Sequence, residues 1–200
     1  MLNPSLSAGA RQEQARWNER YQQSTSAPQP CRVLQENRHL LPRTGTALDL
    51  ACGLGGNAYF LAAQGLETWA WDISDVAIDR VRQTAQQRGL LIHADIRDVA
   101  ANPPAPVSFD VIVVSRFLDR GLTSALIEAL KPNGRLYYQT FIKQAPEDVG
   151  PKEDQFRLDA QELLNMFRPL RILVYREEAQ VGDLTSGWRN EALLVGQKEP

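Results

Sequence analysis

The sequence predicts an α/β fold. It is a three-layer sandwich with a seven-stranded, mostly parallel sheet, helices on both faces and an antiparallel last strand. Three observations lead there. From Thr46 onward, short apolar runs alternate with segments of helical periodicity, the pattern of strands joined by crossover helices. The first of these runs passes straight into the glycine-rich turn Gly53-Leu54-Gly55-Gly56. The last two runs lack a helical pattern between them and therefore close as a hairpin.

Taken in order, residues 9–23 are rich in helix formers and carry Trp17 and Tyr21 four apart, on one helical face. A Ser/Thr/Pro/Gln linker runs to Pro30. A second short amphipathic helix is expected over 31–41, offering Val33, Leu34, Leu40 and Leu41 for burial before Pro42 and Gly45 break the pattern. Strands are expected at 46–51, 67–72, 90–94, 109–115, 135–141, 170–176 and 190–197, with helices at 56–64, 75–88, 120–130 and 159–167. The chain divides into an N-terminal helical cap, 1–44, and a main body, 45–200, within one domain. Two hundred residues with 43% hydrophobic content suit a single sizeable core and are short for two.

A formal charge of −2 gives no long-range pull towards nucleic acid or an anionic membrane. Cys31 and Cys52 form no disulfide framework and lack metal-ligand spacing, which points to a reducing compartment. The opening Met1-Leu2-Asn3-Pro4-Ser5 has no basic or apolar leader character, and no run approaches the roughly 18 apolar residues of a membrane span. The expectation is a soluble, cytoplasmic protein, monomeric or weakly dimeric.

The glycine turn carries the chemistry. Gly53 and Gly55 remove Cβ atoms where backbone passes close to a ligand, and the helix that follows aims free N–H groups at the same place. A nucleoside-type cofactor is expected, and two remain open at this point. Gly53-Leu54-Gly55-Gly56-Asn57-Ala58 fits a relaxed dinucleotide fingerprint, and Asp72, at the end of the next strand, suits ribose hydroxyls under either reading. Asp49 favours a cationic ligand, because a carboxylate inside an apolar strand is costly unless paired. S-adenosylmethionine carries an ammonium and a sulfonium, whereas a nicotinamide dinucleotide brings a pyrophosphate.

The chain resembles the class I S-adenosylmethionine-dependent methyltransferases, of the small single-domain sort that includes tellurite-resistance-type and thiopurine-type enzymes. The resemblance rests on Asp49, Ala51, Gly53 and Gly55, with alanine at the usual first glycine; on Asp72-Ile73; on Ala94-Asp95-Ile96; on Phe109 to Ser115; and on Leu130 to Leu136. It implies a Rossmann-like sheet and the cofactor S-adenosylmethionine. Asp72 would then hold the ribose and Ile73 cover one adenine face, with Asp95 and the Ile96 backbone meeting the adenine edge. Ser115 would lie beside the methyl group and acceptor. The resemblance also implies an aromatic N-terminal segment folded over the cofactor, with Trp17 in it and Arg20 placed for the methionine carboxylate.

Methyl transfer from a sulfonium asks mainly for positioning, and a base only when the nucleophile carries a proton. In Ser115-Arg116-Phe117-Leu118-Asp119-Arg120-Gly121-Leu122, Arg116 and Arg120 are candidates for an anionic acceptor and Asp119 for a base; no catalytic residue is assigned. Asp110 reads as structural and Cys52 as a small packing residue. Neither His39 nor His93 belongs to a triad or a metal-spaced cluster, and no metal is expected. Residues 143–157 form a charged, proline-containing loop on the acceptor side, read as a lid. The leading expectation is a methyltransferase acting on a small molecule. A NAD-dependent oxidoreductase and a non-catalytic S-adenosylmethionine-binding protein stand as alternatives.

Overall fold

The computed structural model describes residues 6–200; the opening Met1–Ser5 stretch lies outside them. The chain runs α1 (Ala8–Gln23), α2 (Arg32–Glu36), β1 (Thr46–Leu50), α3 (Gly56–Ala63), β2 (Glu67–Asp72), α4 (Asp75–Arg88), β3 (Ile92–Ile96) and β4 (Phe109–Ser115). It continues through α5 (Thr123–Ala129), β5 (Leu130–Phe141), α6 (Glu162–Met166), β6 (Arg171–Arg176) and β7 (Glu191–Gln197). The sheet order is β3-β2-β1-β4-β5-β7-β6, with β7 antiparallel to both its neighbours and the other pairings parallel. This is the α/β sandwich read from the sequence. Strand order reverses between β1 and β4, and that reversal opens a crevice beyond their carboxyl ends.

Side-chain alternation splits the core in two. On one face Leu48, Leu50, Ile112, Val114, Leu136 and Tyr138 pack with Leu126, Leu163 and Phe167. On the other, Ala47, Val111, Val113, Tyr137, Leu193 and Val195 pack with Leu61, Val33 and Leu34. Both faces of the central strands are covered, so those strands read as continuous apolar runs, and a polar residue within them stands out.

Element ends differ from expectation where local caps act. Gly89 closes α4 in the left-handed region (φ 64°), and the Leu90 N–H folds back onto the Ala85 carbonyl at 2.9 Å. Leu90 thus belongs to the helix end, β3 starts at Ile92 instead of residue 90, and Asp95 and Ile96 lie inside the strand instead of after it. The Asn37 side chain donates to the Val33 carbonyl at 2.9 Å, which ends α2 early and leaves a 3-10 turn at Arg38–Leu40. Asp119 accepts from the Gly121 N–H at 2.9 Å, so the helix expected over 120–130 opens as a 3-10 turn and α5 covers only Thr123–Ala129. Gln161, with φ 57°, delays α6 to Glu162. β5 begins at Leu130 rather than 135, since Leu130 pairs with Phe109 and an irregularity between Phe109 and Val111 absorbs the extra residues.

Candidate functional site

Five strands each contribute one polar residue to the same face of the sheet at its carboxyl rim. Asp49 follows Ala47 on β1, Asp72 follows Ala70 on β2 and Ser115 follows Val113 on β4; Gln139 pairs with Ser115, and Glu191 on β7 lies two residues from Leu193, the partner of Gln139. Asn57, in the first turn of α3, ties the middle of this row together. Its amide nitrogen lies 3.1 Å from Asp49 Oδ1 and 3.1 Å from Ser115 Oγ, and its oxygen accepts from the Cys31 N–H at 2.8 Å.

Asp49 is fully buried. Its second oxygen accepts from the Ala58 N–H at 3.0 Å, so donors at the start of α3 satisfy the carboxylate that the sequence alone pairs with a cationic ligand. Asp72 accepts from the Gly53 N–H at 2.8 Å on one oxygen and from the Ser74 N–H at 2.9 Å on the other. Burial dominates both groups. It pushes Asp49 up to about 7, against the pull of Asn57 and Ala58 and with a further push from Asp72. It pushes Asp72 up to about 6, against the Ser74, Gly53 and Ile73 amides. Two partly protonated carboxyls on one glycine turn form a site that gains by receiving positive charge.

The turn is tight on every side. Ala51 has φ 53°, a left-handed conformation that strains a residue with a Cβ and that glycine would adopt freely. Gly53 has φ 51°, and a Cβ there would lie 2.9 Å from the Tyr21 hydroxyl; a Cβ on Gly56 would lie 2.3 Å from the Gln29 carbonyl oxygen. Gly55 caps α3 and faces Val81 and Tyr59. The N-terminal segment therefore packs directly on the turn. Trp17 stacks on Tyr21 at 5.6 Å, and the exposed Arg20 lies 5.4 Å over the Trp17 ring. Gln14, fully buried, donates to the Ile73 carbonyl at 2.8 Å, and the Ser74 hydroxyl donates to Asn18 at 2.6 Å. Burial, then the Asp72 charge, pushes the Tyr21 phenol far above its ordinary range, so it stays neutral.

The structure brings Asp49, Ala51, Gly53, Gly55, Asp72 and Ser115 together, with Trp17 and Arg20 on the covering helix. Ile73 and Ile96 are half-buried at the ends of β2 and β3. The Asp95 side chain is not in the row. It pairs with Trp71, projects on the opposite face from Asp72, and is exposed beside Arg97. Arg120 and Asp119 are engaged elsewhere. Arg120 holds Glu162 at 2.5 and 3.0 Å and donates to the Gln155 and Arg157 carbonyls, while Asp119 caps its own turn. His93 stacks on Trp69 at 4.6 Å and His39 is exposed. Asp110 accepts from the Thr46 amide at 2.7 Å and from Lys131 at 2.9 Å, a structural role.

Glu191 and Gln139 went unread in the sequence. A signal was available: Glu191 heads the apolar run Glu-Ala-Leu-Leu-Val, the same pattern that singled out Asp49. Beside them, Arg116, Phe141, Val149, Trp188 and Glu191 line a cleft of about 480 Å³, within the ordinary range for small-molecule sites.

A family model described as a methyltransferase domain matches residues 47–134, the segment that spans the glycine turn, Asp72 and Ser115. Over those residues, a little under half of the chain, the sequence matches a methyltransferase domain. Sequence relatives of this domain include a probable S-adenosyl-L-methionine-dependent methyltransferase, TehB, from Haemophilus influenzae, 28% identical over 135 residues, or 65% of this chain and 47% of that one. The chain thus spans about half the length of the relative it matches by sequence. Among solved structures, TehB from Haemophilus influenzae superposes on the domain and its flanks with a TM-score of 0.68, at 19% identity over 94% of this chain and 67% of that one. The [4+2]-cyclase SpnF does so with 0.65, at 18% identity over 84% and 78%. These likenesses establish the fold of the methyltransferase domain, and the cyclase is a reminder that the fold alone does not fix the reaction.

Proposed function

We propose that this protein takes a methyl group from S-adenosylmethionine and passes it to a small-molecule acceptor. The observation that carries the reading is the row Asp72, Asp49 and Ser115, set on one sheet face at the strand-order reversal and inside the segment that matches the methyltransferase family. The residues fit the donor. Asp72 keeps acceptor capacity for a ribose hydroxyl, and the Asp49–Asp72 pair favours a cation over a pyrophosphate. When bound, the donor supplies a methyl group already activated by its sulfonium. What is asked of the protein is orientation and exclusion of water.

In this reading Ile73 and Ile96 wall the adenine, Trp17 covers the cofactor and Arg20 meets the methionine carboxylate, while the exposed Asp95 side chain, on the opposite sheet face, takes no part. Asp49 acts through its field and by fixing the turn. The protein is placed in the cytoplasm as a monomer or weak dimer without a nucleic-acid partner. Its cysteines are free, its net charge is −2, and no helix among the described residues is long and apolar enough to cross a membrane.

Titration calorimetry tests the reading. S-adenosylhomocysteine and S-adenosylmethionine are expected to bind competitively, D72N to weaken both by about tenfold or more, and NAD not to compete. Tight NAD binding unaffected by S-adenosylmethionine would overturn it.

A further inference from the structure

We propose that the cleft beside Ser115 takes an acceptor bearing a carboxylate or an equivalent planar oxyanion, held by the terminal nitrogens of Arg116. The proposal rests on the methyltransferase reading and deepens it by naming the acceptor class.

Of the charged side chains in 115–122, Arg120 and Asp119 are committed to the fold, and Arg116 alone faces the cleft. Its backbone turns into the left-handed region just past β4 (φ 55°), with its N–H on the Gln139 carbonyl at 2.8 Å. This swings the side chain over the polar row. The side chain is 64% exposed, yet its Nε is fastened 2.9 Å from an oxygen of Glu191, whose side chain is only 2% exposed.

Glu191 is itself held from behind. Its other oxygen accepts from the Gln139 amide, and Gln139 in turn accepts from the Val33 N–H at 2.8 Å. A buried carboxylate anchored in this way aims the guanidinium without covering it. Glu191 occupies one of the five N–H donors. The terminal nitrogens keep the other four and have no protein partner among the described residues, in the planar fork that matches a carboxylate.

The rest of the wall does not compete for that fork. Arg189 is spent on the Ser186, Val181 and Asp183 carbonyls, and the Glu147 carboxylate accepts from Asn190 at 2.7 Å. Phe141, 5.9 Å from the guanidinium carbon, and Trp188 give the cleft apolar walls. The chemistry fits an aromatic or apolar body with an anionic head. Glu191 serves as a positioning residue for Arg116.

The test compares matched probes in calorimetry, with and without saturating S-adenosylhomocysteine: 2-mercaptobenzoate against 2-mercaptobenzamide, and indole-3-acetate against indole-3-acetamide. Each carboxylate should bind about tenfold or more tightly than its amide. R116Q should erase that preference while leaving S-adenosylhomocysteine affinity within about twofold, and R116K should restore only part of it, because a point charge lacks the fork. E191Q should weaken the carboxylates with the cofactor affinity unchanged. Carboxylate binding should also shift the Arg116 Nε–Hε resonance.

Equal binding of acid and amide, including no measurable binding of either, overturns the proposal. So does R116Q weakening S-adenosylhomocysteine as much as the acids, which would assign the guanidinium to the cofactor. Failure of S-adenosylhomocysteine to bind the unmodified protein is a separate result. It removes the methyltransferase reading, while the acid–amide comparison without it still judges Arg116.

Discussion

Asp49 and Asp72 set the pH behaviour of the molecule. Folding raises both carboxyls above their unfolded value near 4, so the folded state holds protons that the unfolded state has released. The stability they contribute is therefore fully present below about pH 4 and is lost as pH rises through about 6 to 7. Chemical denaturation from pH 4 to 8 without ligand should follow that decline, with D49N flattening it by an amount of order 2 kcal/mol. A cation entering beside them expels protons, so S-adenosylmethionine should bind more tightly at pH 7.5 than at 5.5. Calorimetry in buffers of different ionisation enthalpy should register the released proton, and its absence would contradict this electrostatic account. Asp49, Asp72 and Gly53 were legible in the sequence because each interrupts a pattern within a few residues of the turn. Glu191 and Gln139 were not, because what gives them meaning lies far off: Arg116 is 75 residues from Glu191, and Val33 is 106 from Gln139.

At the scale of elements, the strands and long helices followed from periodicity, while the errors fell at their ends, where a single side chain or left-handed residue decides. The 31–41 helix failed at Asn37 and β3 shifted at Leu90. Both are local hydrogen bonds that period counting does not see. The 143–157 loop, read as a lid, is closed at its base by the Ile142–Leu158 bridge and stitched by Arg157, which donates to the Pro151, Ile142 and Val149 carbonyls from a buried position. R157A should leave those carbonyls without partners, lower stability by about 2 kcal/mol, and open residues 147–153 to limited proteolysis. The N-terminal linker offers a second check. In G56A the new Cβ would meet the Gln29 carbonyl oxygen, so the linker over 24–30 should lift, with increased protease sensitivity there and a loss of about 1–3 kcal/mol.

For the molecule as a whole, a ligand that binds the cleft ties α1, β1, β2 and β4 into one cooperative unit. At 100 times its dissociation constant, S-adenosylhomocysteine should stabilise the fold by about 2.7 kcal/mol and raise the melting temperature by roughly 5–10 °C for a domain of this size. Thermal unfolding with and without the ligand measures this, and NAD should give no shift.

The shared face of Asp72, Asp49, Ser115, Gln139 and Glu191 also bears on how this sequence can diverge. Pleated backbone repeats every two residues, so deleting or inserting one residue upstream within any of those strands would rotate its member of the row into the opposite hydrophobic layer. Length changes are then tolerable in the connections that feed the sheet and ruinous inside it. Deletion scanning through β1 and β4, set against their flanking loops, would draw that boundary one residue at a time.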